Sequence, residues 1–349
     1  MYAMELTAQE MLKREKLKET NPYIYAKILR QEQRYLNGLA APTIQFQYDY
    51  TCNMRCEHCC VSKLDKKDRV LTPDVLKDLA RQADALAVTQ FTISGGEPLL
   101  FRDFEKIVQA IGPDRFFIAT DTNGWLLTPQ KAAWLKNIGV GKVHISLDSA
   151  LKSAHDAFRK TPGAYEHAIA AITNAKKAGL SVTVNTVLTK ERVHTDEFLQ
   201  FLQLVDDLGA TTVLMFAKPL GEWEGNLDIL LDDKDIAYTR ELEKKHAVCS
   251  HLTRNYGFDH GCLAVKRMIS ITRYGDVQPC MSILVSLGNI FDEPLETILE
   301  RGMRSEIFGA YSPTCRACAD KDFVALYNER TLGKAEPLAY ADFISKNKS

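Results

Sequence analysis

Residues 43–50, "TIQFQYDY", set Ile44, Phe46, Tyr48 and Tyr50 against Gln45, Gln47 and Asp49, the period-two alternation of a strand with two unlike faces. The next stretch, "LTPDVLKDLARQADAL", changes period. Thr72 reads as a helix cap and Pro73 as its first helical residue, and Val75, Leu76, Leu79, Ala80, Ala83 and Leu86 then fall on one face. The two patterns keep alternating. Strand-like "TQFTIS" precedes a helix near 103–111, and "FFIAT" precedes a helix that begins at Thr128-Pro129 and stops at Gly139. "KVHISLD" is followed by a helix from about Ala164 to Gly179, a glycine placed to end it. "SVTVNTVL", a helix near 196–208 and "TTVLMF" complete about six β-α repeats between residues 44 and 216, which predicts a parallel sheet with helices outside.

These strands carry polar residues at alternate positions: Gln45 and Gln47; His144, Ser146 and Asp148; Thr183 and Asn185. A doubly wound sheet is covered on both faces and its strands read almost continuously apolar, so one polar face predicts a barrel wall around a wide, ligand-filled interior. The first 40 residues read as a charged helical extension that packs on the barrel, with substrate docking as the alternative. After "AKPLGEWEGN" (217–226) come an acidic stretch, a charged helix near 233–247 and a cysteine-bearing tail. The expected divisions are an N-terminal extension (1–43), a barrel (44–225), a linker helix (226–257), a small auxiliary domain (258–325) and a C-terminal tail (326–349).

The 349 residues, 46% apolar and 26% charged, suit a soluble globular chain, and a net charge of −1 gives no electrostatic case for nucleic acid or membrane. "MYAMELTAQEMLKREKLKET" has no apolar signal core and no stretch is long enough to span a bilayer, so a cytoplasmic location is expected. In a reducing compartment the nine cysteines read as metal ligands or reactive groups rather than disulfides.

Four of them crowd into "YDYTCNMRCEHCCVSK". Cys52, Cys56 and Cys59 stand at C-x3-C-x2-C just past the first strand, and thiolates select iron–sulfur clusters or zinc. Three thiols on one loop can hold three irons of a [4Fe–4S] cluster and leave the fourth open; with His58 they could equally complete a zinc tetrahedron. "SGGEP" (94–98) ends the second strand, "TDTNG" (120–124) the third and "SLD" (146–148) the fourth. Polar groups at the C-terminal ends of successive strands mark the functional face of a barrel. Gly95 and Gly96 are expected to let backbone approach a ligand closely.

C-x3-C-x2-C after the first strand and GGEP after the second resemble the radical S-adenosylmethionine (SAM) superfamily, over roughly residues 44–216. The resemblance implies an α/β fold, a partial (β/α)6 TIM-like barrel. It implies that Cys52, Cys56 and Cys59 hold a [4Fe–4S] cluster whose open iron is chelated by SAM. Reductive cleavage of SAM would yield a 5′-deoxyadenosyl radical that abstracts hydrogen from a substrate, with flavodoxin or ferredoxin as electron donor. Gly95, Gly96 and Glu97 would bind the SAM amino group, Asn123, Ser146 and Asp148 its ribose or carboxylate, and Arg159 of "HDAFRK" the carboxylate. The residue before the third cysteine, usually aromatic in the family, is His58, whose ring can still stack on adenine.

In the tail, Cys262-x12-Gly275-x4-Cys280 and Cys315-x2-Cys318 read as four ligands of one further site, with zinc as the chemical alternative. The pattern is similar to the SPASM/Twitch auxiliary-cluster extension of radical SAM enzymes, and since no cysteine follows Cys318 it looks like the shorter Twitch-like form with a second, auxiliary [4Fe–4S] cluster. Cys60 reads as a buried neighbour of the first cluster. Cys249 is either a packed apolar residue or a hydrogen-atom donor. The substrate implied is a peptide undergoing cross-linking, thioether formation or epimerisation, or a small polar metabolite. The alternatives are dehydrogenation or epimerisation of a sugar or aminocyclitol, for which Glu222, Glu224 and Asp228 could bind an amine, and, in a different class, a non-catalytic Fe–S or zinc scaffold. Tyr256, Asp259 and His260 lie just before Cys262 and have no assigned role.

Overall fold

A computed structural model describes residues 6, 8–59, 67–253 and 261–345. The expected alternation is present as β1 (Thr43–Asp49), α3 (Pro73–Ala85), β2 (Gln90–Gly95), α4 (Phe104–Ile111), β3 (Phe117–Thr122), α5 (Pro129–Asn137), β4 (Lys142–Ser146), α6 and α7 (Lys152–Phe158, Ala164–Lys177), β5 (Ser181–Leu188), α8 (Asp196–Asp207) and β6 (Thr211–Phe216). Side-chain caps start the helices where the sequence places them: Thr72 accepts from Val75 N, Thr128 from Lys131 N and Thr195 from Phe198 N. Strands β1 to β6 pair in sequence order, all parallel. Ile44, Phe46, Val143 and Ile145 are among the strand residues that are fully buried.

The polar strand positions serve the barrel interior. Asp121 accepts from Gln45 Nε2 (2.9 Å) and meets His144 Nδ1 (2.9 Å), which bridges β1, β3 and β4 across the lumen. A sheet lined with apolar groups on both faces would have no use for such bonds.

Three further strands extend the sheet. The full order is β7-β6-β5-β4-β3-β2-β1-β8-β9, with β7 (Val248–Ser250) parallel to β6, β8 (Met268–Ile271) parallel to β1, and β9 (Val277–Gln278) antiparallel to β8. Strands from both the expected linker and the expected auxiliary domain therefore lie in the barrel sheet. α9 (Asp233–Leu242) ends earlier than the charged run predicts. Asp206 takes the Ala247 N–H (3.0 Å) and His246 Nδ1 (2.7 Å), so the chain leaves the helix to begin β7. Beyond β9 follow a short parallel pair, β10 (Val285–Ser286) and β11 (Leu338–Ala339), and helices α10 (Leu295–Arg304), α11 (Lys321–Thr331) and α12 (Tyr340–Ile344).

The N-terminal helices α1 (Ala8–Thr20) and α2 (Pro22–Leu36) sit at the opposite end from the strand C-termini. Gln31 donates to Ala41 O and Pro42 O just before β1, and buried Lys27 meets Arg115 O (2.8 Å) just before β3 and Asp84 (2.8 Å) at the end of α3. Burial lowers the Lys27 pKa to about 8, against the opposing pull of Asp84. This extension closes the barrel floor and lies away from the mouth. Among the described residues no helix is long and apolar enough to cross a membrane.

Candidate functional site

The mouth is built on the chain that leaves β1. Gly96 N donates to Asp49 O (2.8 Å) and Glu97 N to Thr51 O (2.9 Å), so the GGE segment is zipped to the start of the cysteine loop. A Cβ on Gly95 would lie 2.2 Å from Asp49 O, and one on Gly96 2.1 Å from Thr51 O. The glycine pair is thus required by contact between two stretches of the chain itself, not only by a ligand's approach. Cys52, Cys56 and Cys59 line one cavity, together with Gly95, Gly96 and Arg159. Cys60 lies outside the described residues.

Glu97 points away from that cavity. Its carboxylate accepts from Asn123 N (2.7 Å), Thr122 Oγ1 (2.8 Å) and Leu99 N (3.1 Å), and it is 1% exposed. Burial raises its pKa to about 7, the hydrogen bonds working the other way. The expected ligand to an amino group is therefore turned inward, where it ties the GGE turn to the end of β3. Asn123, held between Asn53 Oδ1 (2.8 Å) and Trp125 N (2.9 Å), and Ser146 at the end of β4 both line the cavity.

Asp148 also turns inward, accepting from Arg159 Nε (2.7 Å) and Val187 N (2.9 Å). Burial works against its charge, but Arg159 and two histidines keep its pKa below the usual carboxylate range. Arg159, itself buried, runs from Asp148 to the cavity wall, where it donates to Cys56 Sγ (3.6 Å). The residue that sequence reasoning missed here is His155: it is 1% exposed, its Nδ1 accepts from Asp148 N (3.0 Å), and burial lowers its pKa to about 4, so it stays neutral. Its one sequence signal is an imidazole four residues before Arg159 on a helix.

His58 stacks on Phe158 (4.9 Å between centroids, 14° between planes) and tilts against Trp223. The segment read as a change of character clamps this loop from above. Trp223 Nε1 donates to Glu57 (2.6 Å), Glu222 N to Glu57 O (3.0 Å), and a Cβ on Gly221, which has φ +66°, would meet Cys59 O at 2.7 Å. Of the acidic residues proposed for an amine, Glu222 pairs with Lys160 at the surface (2.6 Å) and Glu224 accepts from Gly333 N; neither they nor Asp228 line the cavity among the described residues.

The tail cysteines form a second, closed set. Cys262, Cys315 and Cys318 are buried, and each of the four thiols feels at least one other of the set, Cys315 acting on all three of its fellows. Burial, reinforced by Cys262 and Cys315, pushes the Cys280 thiol up to about 12. Such crowding is costly for thiolates alone and is relieved by a multivalent cation, so the donor set fits a metal cluster. His251, at the end of β7, brings a ring nitrogen within 4.8 Å of both Cys315 Sγ and Cys318 Sγ. Met281 and Ser282, directly after Cys280, line the same cavity as the mouth cysteines, as does Lys218, whereas none of the four tail cysteines is in its lining. Lys218 has no carboxylate partner among the described residues, and its charge acts on the thiols of Cys280, Cys315 and Cys318.

Cys249 does not join either set. It sits on β7 opposite Val213, is absent from the described cavity lining, and has Glu243 and Lys142 as charged neighbours; burial raises its pKa to about 11. Tyr256, Asp259 and His260 lie outside the described residues.

Cys52, Cys56 and Cys59 fall within one family profile and the four tail cysteines within another. A radical SAM superfamily profile matches residues 49–205, and an iron–sulfur cluster-binding domain profile, SPASM, matches residues 262–319. The chain is 24% identical over 309 residues to the AdoMet-dependent heme synthase of Nitratidesulfovibrio vulgaris, covering 79% of this chain and 84% of that protein. It is 30% identical over 191 residues to the mycofactocin maturase MftC of Mycolicibacterium smegmatis, covering 54% of this chain but 48% of that one. In fold it is similar to Streptococcus suis SuiB bound to precursor peptide SuiA, with TM-score 0.60, 14% identity, and 83% and 72% of the two chains covered.

Proposed function

We propose that this chain, which belongs to the radical SAM superfamily and carries a C-terminal SPASM-type iron–sulfur domain, oxidises a carboxylate-bearing substrate held between its two thiol sets. The observation that supports the reading is one cavity lined by Cys52, Cys56 and Cys59 and also by Met281 and Ser282, the residues that follow Cys280.

The cofactors are SAM, a SAM-binding [4Fe–4S] cluster and an auxiliary iron–sulfur cluster. When bound, they supply a 5′-deoxyadenosyl radical from one-electron cleavage of SAM, which removes a hydrogen atom from the substrate, and an acceptor for the electron the substrate then releases. Cys52, Cys56 and Cys59 would hold the first cluster; three thiols from one loop leave it an open position. Arg159, fixed by Asp148, would meet the SAM carboxylate, and Gly95 and Gly96 would offer backbone to its amino group. Asn123 and Ser146 would hold the remainder of SAM by hydrogen bonds. Glu97, Asp148 and His155 position these groups without touching it. Cys262, Cys280, Cys315 and Cys318 would hold the auxiliary cluster. Lys218 would bind the substrate carboxylate.

The substrate class favoured is a peptide. The mycofactocin maturase supports this by similarity in the barrel, and SuiB shows that a related fold accommodates a precursor peptide. One observation favours a second reading, a tetrapyrrole carboxylate: alignments to two heme synthases cover 79% and 74% of this chain.

The test is an anaerobic reaction of reconstituted protein with SAM and reductant in heavy water, on the peptide and tetrapyrrole fractions of a host extract. The expected result is SAM-dependent 5′-deoxyadenosine and a product that has lost two hydrogens, or a hydrogen and a carboxyl group. A product of unchanged composition that gains one deuterium is epimerisation and overturns net oxidation.

A further inference from the structure

The sequence offers four cysteines for the auxiliary site, and four thiolates suffice to ligate a four-iron cluster. The structure adds a fifth donor that no spacing motif contains. His251 follows β7, the short strand that extends the barrel sheet beyond β6, and a ring nitrogen of it lies within 4.8 Å of the sulfurs of Cys315 and Cys318. Its buried Nε2 makes no hydrogen bond of ordinary geometry among the described residues, and the group the imidazole acts on is the Cys315 thiol. A buried imidazole nitrogen without a partner is costly, and the nearest unfilled chemistry is the sulfur of the thiol set.

The surroundings hold the ring in place. Phe216 packs edge-on against it (5.2 Å between centroids, 64°), and Phe216 also lines the substrate cavity. The turn that carries His251 is closed by Ser250 N to Thr253 Oγ1 (2.7 Å), Leu252 N to Ser250 Oγ (3.1 Å) and Thr253 Oγ1 to Glu243 (2.6 Å). The imidazole therefore stands between the cavity wall and the auxiliary thiols.

We infer that His251 donates a hydrogen bond to a sulfur of the auxiliary cluster and raises its reduction potential, which makes that cluster the better acceptor for the substrate's electron. The physical reason is the sign of the charge: an N–H aimed at a cluster sulfur favours the more negative, reduced form. This rests on the proposed function, in which Cys262, Cys280, Cys315 and Cys318 hold a cluster.

The experiment uses the full chain with Cys52, Cys56 and Cys59 all replaced by Ala, so that only the auxiliary cluster is observed, grown with 15N-histidine. Pulsed EPR of the reduced protein is expected to show a weak coupling to one labelled nitrogen. In the same background His251→Leu should lose that coupling and lower the midpoint potential, while His251→Gln, which keeps an N–H donor, should recover most of the potential. Absence of any labelled-nitrogen coupling in the parent overturns the inference without reference to a variant that fails to fold. So does an unchanged potential in an iron-replete His251→Leu protein. A coupling as strong as a direct iron–nitrogen bond replaces donation with ligation and also overturns it. A parent that binds no iron overturns the proposed auxiliary site together with the inference, an outcome distinct from a cluster without nitrogen coupling.

Discussion

The two thiol sets solve opposite problems with the same residue. The mouth set takes three cysteines from one eight-residue stretch and leaves them facing a cavity, with Cys52 exposed and Cys56 and Cys59 half-buried. The tail set draws its cysteines from distant segments and buries three of the four, with Cys318 only 1% exposed and Cys280 half-buried. An open site held by one loop leaves a coordination position for a ligand that comes and goes; a closed site drawn from several segments staples the fold and holds its group permanently. The supports differ accordingly. The mouth loop is braced by backbone contacts through Gly95, Gly96 and Gly221, where any side chain would collide, whereas the tail set is braced by the barrel's own added strands.

The sharpest way to break this contrast is to remove one thiol from each set. Cys56→Ala is expected to abolish 5′-deoxyadenosine formation while leaving the iron of the tail set bound, as read by iron and sulfide assay. Equal loss of iron from both sets would show that they are not independent. Cys318→Ala should do the reverse: SAM cleavage persists, substrate product is lost, and the melting temperature falls by on the order of 5 °C or more as a buried site loses a ligand. A Cys318→Ala protein with normal product yield would remove the auxiliary set from the chemistry.

A smaller effect separates the ligand-facing part of the mouth from its supports. Arg159→Lys keeps the charge but loses the fork that spans Asp148 and Cys56. A lost charge-assisted hydrogen bond of about 1.5–3 kcal/mol predicts a rise of roughly ten-fold or more in the SAM KM. An unchanged KM would leave Arg159 a support only. Glu97→Gln tests a pure support. The folded-state pKa of Glu97 is raised to about 7, so its contribution to stability is present below the unfolded value near 4.3 and is lost as pH rises through 7, by roughly 4 kcal/mol at most. The glutamine protein should be less stable at low pH, because an amide N–H₂ faces the Asn123 N–H, and its urea midpoint should vary less between pH 4.5 and 7. A midpoint that tracks pH as in the parent would place the titration elsewhere.

The same contrast explains what could be read from sequence. Six strands, their helices and the C-x3-C-x2-C and GGEP motifs are local patterns, and period, caps and spacing expose them. β7 and β8 have three and four residues, too few for a period, and they join the sheet only through partners in β6 and β1. Glu97 and Asp148 were legible as strand-end acids, but whether a carboxylate faces a cavity or the protein depends on which N–H groups the fold brings beside it. His155, Gly221 and His251 carry no motif because each acts on residues distant in sequence or on a neighbouring turn of chain.

The smallest expected effect belongs to Cys249, which lies in neither set. A hydrogen-atom donor must reach the substrate radical, and this thiol is packed on β7 near Lys142, at the start of β4, while the cavity opens at the ends of the strands. The half-buried thiol, its pKa pushed up to about 11 chiefly by burial, fits a packing role on β7 outside the cavity. Cys249→Ala should leave product yield and deuterium content as in the parent and lower stability by about 1 kcal/mol or less, the loss of one half-buried sulfur. The measurement is the isotope pattern of the product in heavy water beside a urea titration. A product whose solvent-derived hydrogen disappears in Cys249→Ala, with stability intact, would bring this residue back to the reaction and require a route from the barrel floor to the mouth.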